Sequence, residues 1–430
     1  MRRILGASAL LVAGVLAGCE KPESRPAHTW HKDVGPLVRS KCGGCHMEGG
    51  IAPFSLQTYE ETHALRDVVK AAVQAGHMPP WMPSKDCAEY KDDRSLSEEE
   101  RAMLTGWVDA GGPEGNPADA PVTTLPATTG LSRVDLTLKM PTAYTPRQNP
   151  DDYRCFVLDW PYADTRYVTG FRGDPGNPGI VHHVIAFLAD PRQVATVQAL
   201  DDAEEGPGYT CFGGPGLNSG RVAWLGSWAP GGEGVDYPEK TGLRVAPGSK
   251  VVLQVHYNTS HMHHGPAVTD TTAVSLKVDS AVEKVAFVQP FTNPEWVSQG
   301  TMNIPAGQAD VVHGFPLDLS PYLSQLTGGV FKSNAPFTVH NVGLHMHTLG
   351  TSSKLEIQRR SGARECLLDI PRWDFHWQTA YALAQPKVVN PGEAIRIECH
   401  WNNSRPGAVS ANWGEGTGDE MCLGLLYLTQ

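Results

Sequence analysis

The sequence predicts a multidomain protein, a small all-α domain followed by two antiparallel β-sandwich domains of jelly-roll-like form. Size and composition come first: 430 residues, 40% of them hydrophobic, are enough for several soluble domains. The 45 Gly and 34 Pro follow no repeat and break up the apolar runs, as turn-rich β architecture requires. Periodicity then divides the chain, helical from about residue 29 to 115 and alternating with period two beyond about 134. The net charge of -11, with no Lys/Arg cluster, excludes nucleic acid as a partner, because phosphate binding needs a basic face.

Residues 1–19 run M-R-R-I-L-G-A-S-A-L-L-V-A-G-V-L-A-G-C, a basic start, an apolar stretch and small residues before Cys19. This is the pattern of a secretion signal. Its L-A-G-C ending resembles a bacterial lipobox, which implies lipidation of Cys19 and a membrane anchor on the periplasmic side; Glu20 in place of Asp favours the outer membrane. Residues 20–28 are a polar, Pro-containing tether.

In the helical part, L-S-E-E-E-R-A-M-L-T-G-W-V-D-A-G-G supplies a capping box (Ser97, Glu100), an apolar face (Met103, Leu104, Trp107, Val108) and a Gly111–Gly112 stop. A Pro/Thr/Ala-rich linker, residues 116–133, follows. Beyond it K-V-V-L-Q-V-H-Y-N, F-T-V-H-N-V-G-L-H-M-H, S-K-L-E-I-Q and E-A-I-R-I-E-C-H-W read as strands. S-A-V-E-K-V-A-F begins a fresh series, so the division falls at 134–282 and 283–430.

K-C-G-G-C-H, residues 41–46, is the C-x-x-C-H pattern of covalent haem c attachment: Cys42 and Cys45 take the vinyl groups and His46 the iron. Zinc would need a second ligand pair, and a thioredoxin-like motif leaves His46 without a role. In A-G-H-M-P-P-W-M-P, Met78 sits in a Pro-braced loop, and the stretch resembles cytochrome c domains whose M-P-P-W supplies the distal methionine. His77, Met82 and Met47 are the other candidates for that position.

Four further motifs carry metal-ligand chemistry. H-M-H places His345 and His347 on one face of a strand. G-I-V-H-H-V holds His182 and His183, which on a regular strand diverge, so a shared ion requires a backbone bend there. Q-V-H-Y puts His256 at the polar end of a strand, and D-E-M-C places Met421 ahead of the last one. Imidazole with thioether suits copper in both its oxidation states. His261, His263 and His264 fit a solvated loop, His340 lies on the strand face opposite His345, and His313 and His400 have no partner pattern.

In their order and separations, H-H-V, Q-V-H-Y, H-M-H and D-E-M-C resemble the copper type II ascorbate-dependent monooxygenases, the family of peptidylglycine α-hydroxylating and dopamine β-monooxygenases, over residues 134–430. The resemblance implies two β-sandwiches, each holding one of two copper ions across a wet cleft. His182, His183 and His256 would bind the electron-transfer copper; His345, His347 and Met421 would bind the catalytic one. It implies a Cys399–Cys422 disulfide and makes Cys211 the partner of Cys155; Cys87 and Cys366 receive no assignment. The partners it implies are O2, a small-molecule substrate whose C–H bond is hydroxylated, and a one-electron donor, ascorbate or a redox protein, with the fused haem as relay to the first copper. Where peptide-specific members carry a carboxylate-binding Arg and polar residues, this chain has Gly343, Leu423 and Leu425, which points to a small or apolar substrate. The competing class is a haem/copper electron-transfer or copper-handling protein without hydroxylase activity.

Overall fold

The computed structural model describes residues 28–48, 52–121, 130–217, 222–229, 232, 234–259, 268–375, 377–416 and 418–430. The secretion signal, Cys19, most of the tether, and His261, His263 and His264 lie outside the described residues.

The N-terminal region is helical. A π-helical turn, Trp30–Val34, leads into α-helices Gly35–Lys41, Tyr59–Ala64, Arg66–Gln74 and Glu98–Asp109. Capping boxes start two of them, Thr58 with Glu61 and Ser97 with Glu100, each satisfying backbone N–H groups that a helix start leaves unpaired. Gly111, at φ 86°, and Gly112, at φ 71°, end the last helix in a left-handed conformation that other residues resist. Trp30, Val34, Leu104 and Trp107 close a small core beneath them. No described helix is long and apolar enough to cross a membrane.

The rest is mostly antiparallel β-sheet. A five-stranded sheet has the order Tyr209–Thr210, Asp151–Asp159, Lys250–Asn258, Val181–Ala189, Ala223–Trp228. A four-stranded sheet has the order Val311–Leu317, Ala394–Trp401, Gly350–Gln358, Arg364–Ile370. Each packs against part of one long nine-stranded sheet: Phe156, Val184 and Leu253 meet Phe171 and Leu276 in one core, and Leu355 and Ile397 meet Val342 and Leu426 in the other.

The long sheet spans both halves. Strand Thr241–Val245 of the first runs parallel to Lys284–Phe291 of the second, pairing Thr241 with Lys284 and Leu243 with Ala286. Tyr427 adds a hydrogen bond to the Thr241 hydroxyl at 2.8 Å. The sequence division near 282 thus falls between two strands of a single sheet, a continuity that period-two patterns cannot reveal, since they report a strand's faces and not its neighbours.

Among the described residues, three disulfides staple the fold. Cys155 pairs with Cys211 and Cys399 with Cys422. Cys87 and Cys366, which the sequence left unassigned, pair with each other across 279 residues and tie the N-terminal region to the second half. Around this staple Glu89 and Lys91 exchange backbone hydrogen bonds with Ala384 and Ala382, Ser84 donates to Asp369, and Arg372 reaches the Gly76 carbonyl.

Candidate metal centres

His182, His183 and His256 come together near the ends of two inner, adjacent strands of the five-stranded sheet, Val181–Ala189 and Lys250–Asn258. His183 faces His256 in register, and the register slips between Val181 and His183, so His182 is the extra residue of a β-bulge. That bulge is the bend that lets neighbouring rings turn to one side. Nδ1 of His183 lies 3.4 Å from that of His182 and 3.3 Å from that of His256. Three nitrogens bound tetrahedrally to one ion at about 2.0 Å would stand about 3.3 Å apart, so this is ligand spacing.

The strand Asp151–Asp159 fixes His256 from behind. Asp151 takes the Nε2–H at 2.9 Å, which leaves Nδ1 as the lone-pair nitrogen, and the Tyr153 ring stacks on the imidazole at 4.0 Å and 9°. Asp152, on the alternate face, turns away to Tyr144 and the Arg147 backbone. His256 is buried, near the end of its strand. Burial, and the neighbouring imidazoles, hold His183 well below the ordinary histidine range; burial also lowers His256, with Asp151 opposing. Both rings are therefore neutral and able to ligate.

The second group sits where strand Phe337–His345 ends against Leu423–Thr429. His345 lies opposite Leu423, so Met421, two residues earlier, faces the segment just past His345. His347 is outside the regular strand, and its place is set by Glu420. One carboxylate oxygen of Glu420 accepts from the His347 backbone N–H and the Trp401 indole, both at 2.9 Å, and the other from Leu349. Burial raises the Glu420 carboxyl to about 7, against those donors. His347 Nδ1–H donates to the Asp419 carbonyl at 3.0 Å and His345 Nδ1–H to the Gln378 amide oxygen at 2.5 Å, so both leave Nε2 free. Burial pushes His345 down to about 3, helped by His347, and His347 down to about 4.

The two groups face each other closely. The His183 and His345 rings are 6.3 Å apart, and Phe375 stacks on His182 at 4.7 Å while lying 6.1 Å from His347. Both groups open on one cavity of about 1030 Å³. His340 is held away, bonded to the Thr429 hydroxyl at 2.8 Å. Asp151, Tyr153, Gln378 and Glu420 were not assigned from sequence, although Glu420 stands inside the D-E-M-C motif.

In the helical region Cys42 and Cys45 take no part in the disulfides of the described residues. His46 is buried, and its Nδ1–H donates to the Phe54 carbonyl at 3.1 Å, which leaves Nε2 available. Burial pushes the Cys42 thiol up to about 11. Met78 is 40% exposed, in the segment after helix Arg66–Gln74.

Three converging imidazole nitrogens, with a second histidine pair and a thioether lining the same cavity, make a donor set of the kind that soft-ligand metal sites use. Residues 136–264 match the copper type II ascorbate-dependent monooxygenase N-terminal domain and residues 330–429 the C-terminal domain, together more than half of the chain. The chain belongs to the copper type II ascorbate-dependent monooxygenase family. It is 26% identical over 263 residues to DBH-like monooxygenase protein 1 of Gallus gallus, covering 58% of this chain and 39% of that one. Its human counterpart is 24% identical over 275 residues, covering 59% and 40%, and DBH-like monooxygenase protein 2 of Mus musculus is 23% identical over 295 residues, covering 64% and 43%. The chain spans about two fifths of the length of these relatives.

Proposed function

We propose that the chain is an exported, copper-dependent monooxygenase that uses O2 to hydroxylate a C–H bond of an apolar substrate. His182, His183 and His256 hold one copper; His345, His347 and Met421 hold the second, catalytic one. Copper supplies O2 activation and one-electron chemistry at these positions.

The observation that carries this reading is the set of free ring nitrogens. His256, His345 and His347 each have one nitrogen engaged by a named acceptor and the other left for a metal, and Met421 adds a soft donor that favours the reduced ion. The residues thus fit copper. The same cavity is lined by Gly343, Leu423 and Leu425, which offer a substrate no charge to pair with.

Cys42, Cys45 and His46 hold haem c, with Met78 as the sixth ligand. Cys42 and Cys45, neither in a disulfide, and the pinned His46 ring fit that group, which supplies a one-electron store beside an external donor, ascorbate or a redox protein. Residues 29–115 are then a cytochrome c domain, and a lipid on Cys19 anchors the protein on the periplasmic side of a membrane. Palmitate labelling that persists in Cys19→Ala would remove the anchor.

Metal analysis of the purified full-length chain tests the whole reading. Two coppers and one haem iron are expected, falling to one copper in His347→Ala with Met421→Ala. Protein that takes up no copper overturns it.

A further inference from the structure

The cavity shared by the two histidine groups is not closed by the β-rich body alone. Pro80, Trp81 and Lys91 of the N-terminal region line it together with His345, His347 and Met421. Trp81 meets Tyr381 edge-on, with ring centroids 5.2 Å apart and planes at 82°. Tyr381 in turn follows closely on Gln378, the partner of His345, and pairs in the sheet with Val342, beside Gly343.

The wall is fixed before any ligand arrives. The Cys87–Cys366 disulfide, the backbone hydrogen bonds of Glu89 and Lys91 to the sheet edge, and the Arg372 grip on Gly76 bracket Trp81 on both sides. Ordering an aromatic wall is a cost that binding usually bears; here the fold has met it, which favours a ligand able to use the preset surface.

We propose that this N-terminal wall is part of the substrate site, and that Trp81 with Tyr381 receives an uncharged aromatic ring of the substrate. The assignment of that ligand to a reaction rests on the monooxygenase reading of the cavity; the binding itself does not. Rings pack best edge-on or offset against other rings, and the Trp81–Tyr381 corner offers such a surface. Trp377, Leu344 and Leu425 continue the apolar lining towards His345. Charged side chains of the cavity include both signs, Lys91 and Arg94 with Asp92, and Arg172 is paired with Asp174 at 2.6 Å, so the walls favour neither anion nor cation. The volume of about 1030 Å³ stands at the upper end of small-molecule pockets and holds a fused ring with room beside it.

The test is calorimetric titration of the full-length protein, with and without copper, using three probes that share one ring system: 2-naphthol, 2-naphthoate and 2-naphthylmethylammonium. Saturable binding of 2-naphthol, about tenfold or more weaker in Trp81→Ala and unchanged in Val409→Ala, a site 74% exposed, is the expected result. Trp81→Phe keeps a ring against Tyr381 and should fall between wild type and Trp81→Ala; it serves as the test where the alanine variant does not melt as a folded protein. Unchanged 2-naphthol affinity in a folded Trp81 variant, no saturable binding to wild type, or a charged probe binding tenfold more tightly than 2-naphthol each overturns the proposal. Electron paramagnetic resonance of copper in the same samples separates the two readings. Wild type that shows no Cu(II) signal after copper loading and oxidation sinks the monooxygenase reading alone, while loss of 2-naphthol affinity in Trp81→Ala with an unaltered Cu(II) spectrum supports the wall.

Discussion

The His182, His183, His256 group and the His345, His347, Met421 group present opposite edges of their rings. In the first, Asp151 occupies Nε2 of His256, and the Nδ1 atoms converge; in the second, Gln378 and the Asp419 carbonyl occupy Nδ1, and Nε2 is left. The first is braced by a carboxylate and the second by neutral oxygens. A carboxylate behind an imidazole raises its basicity and favours a more highly charged ion, whereas neutral acceptors and a thioether favour the lower oxidation state. The difference lies in which acceptor stands behind each ring and not in the histidines themselves.

Breaking the second group should have the largest effect. Glu420→Ala strands the His347 and Leu349 amides and the Trp401 indole in the interior, at about 1 to 3 kcal/mol for each donor. Urea unfolding should show a loss of about 3 kcal/mol or more, with copper retained only in the first group. Acid should act next. His345 and His347 protonate near pH 3 and 4 when folded but near their ordinary 6.5 when unfolded, so the unfolded chain binds more protons below that value. Stability of the metal-free protein is full above about pH 6.5 and falls as pH drops towards 4, by up to about 2 kcal/mol per ring at pH 5. Urea midpoints that do not differ between pH 7 and pH 5 would contradict the neutral-ring picture.

Asp151→Asn and Gln378→Ala sharpen the contrast directly. The first should weaken copper at the Nδ1 group about 10- to 100-fold and leave the other unchanged; the second should do the reverse, at the lower end of that range, because the acceptor it removes is neutral. Competition titration with a copper chelator measures both, and equal losses at the two sites in either variant would mean that the groups are not independent. Gly343→Ala should matter least. A methyl there meets Leu425 Cβ at 3.5 Å and Ala380 Cα at 3.7 Å, ordinary packing, so thermal unfolding should shift by the equivalent of about 0.5 kcal/mol in either direction.

Much of this was legible because local rules carried it. Ser97 and Glu100 mark a helix start through groups three residues apart, and the strand at Lys250–Asn258 is marked by its own apolar run. The histidine motifs were visible too, but their geometry was not. The H-H pair looks unfavourable on a regular strand, and only pairing with a strand some seventy residues later shows the bulge that resolves it. H-M-H suggests one continuous strand, yet His347 lies past its end, held by Glu420 from the other end of the domain. Which ring nitrogen is free depends on Asp151, Gln378 and the Asp419 carbonyl, all distant in sequence from the rings they brace. Cys87 and Cys366 illustrate the same limit, since no local pattern links residues so far apart.

The parallel rung between Thr241–Val245 and Lys284–Phe291 turns two lobes into one beam. Most two-lobed proteins can breathe about the linker between them, with little resistance beyond a small interface. Here, separating the lobes means shearing main-chain hydrogen bonds in the middle of a sheet, flanked on both sides by further strands. The distance between the two histidine groups is accordingly set by the backbone, like marks on a ruler.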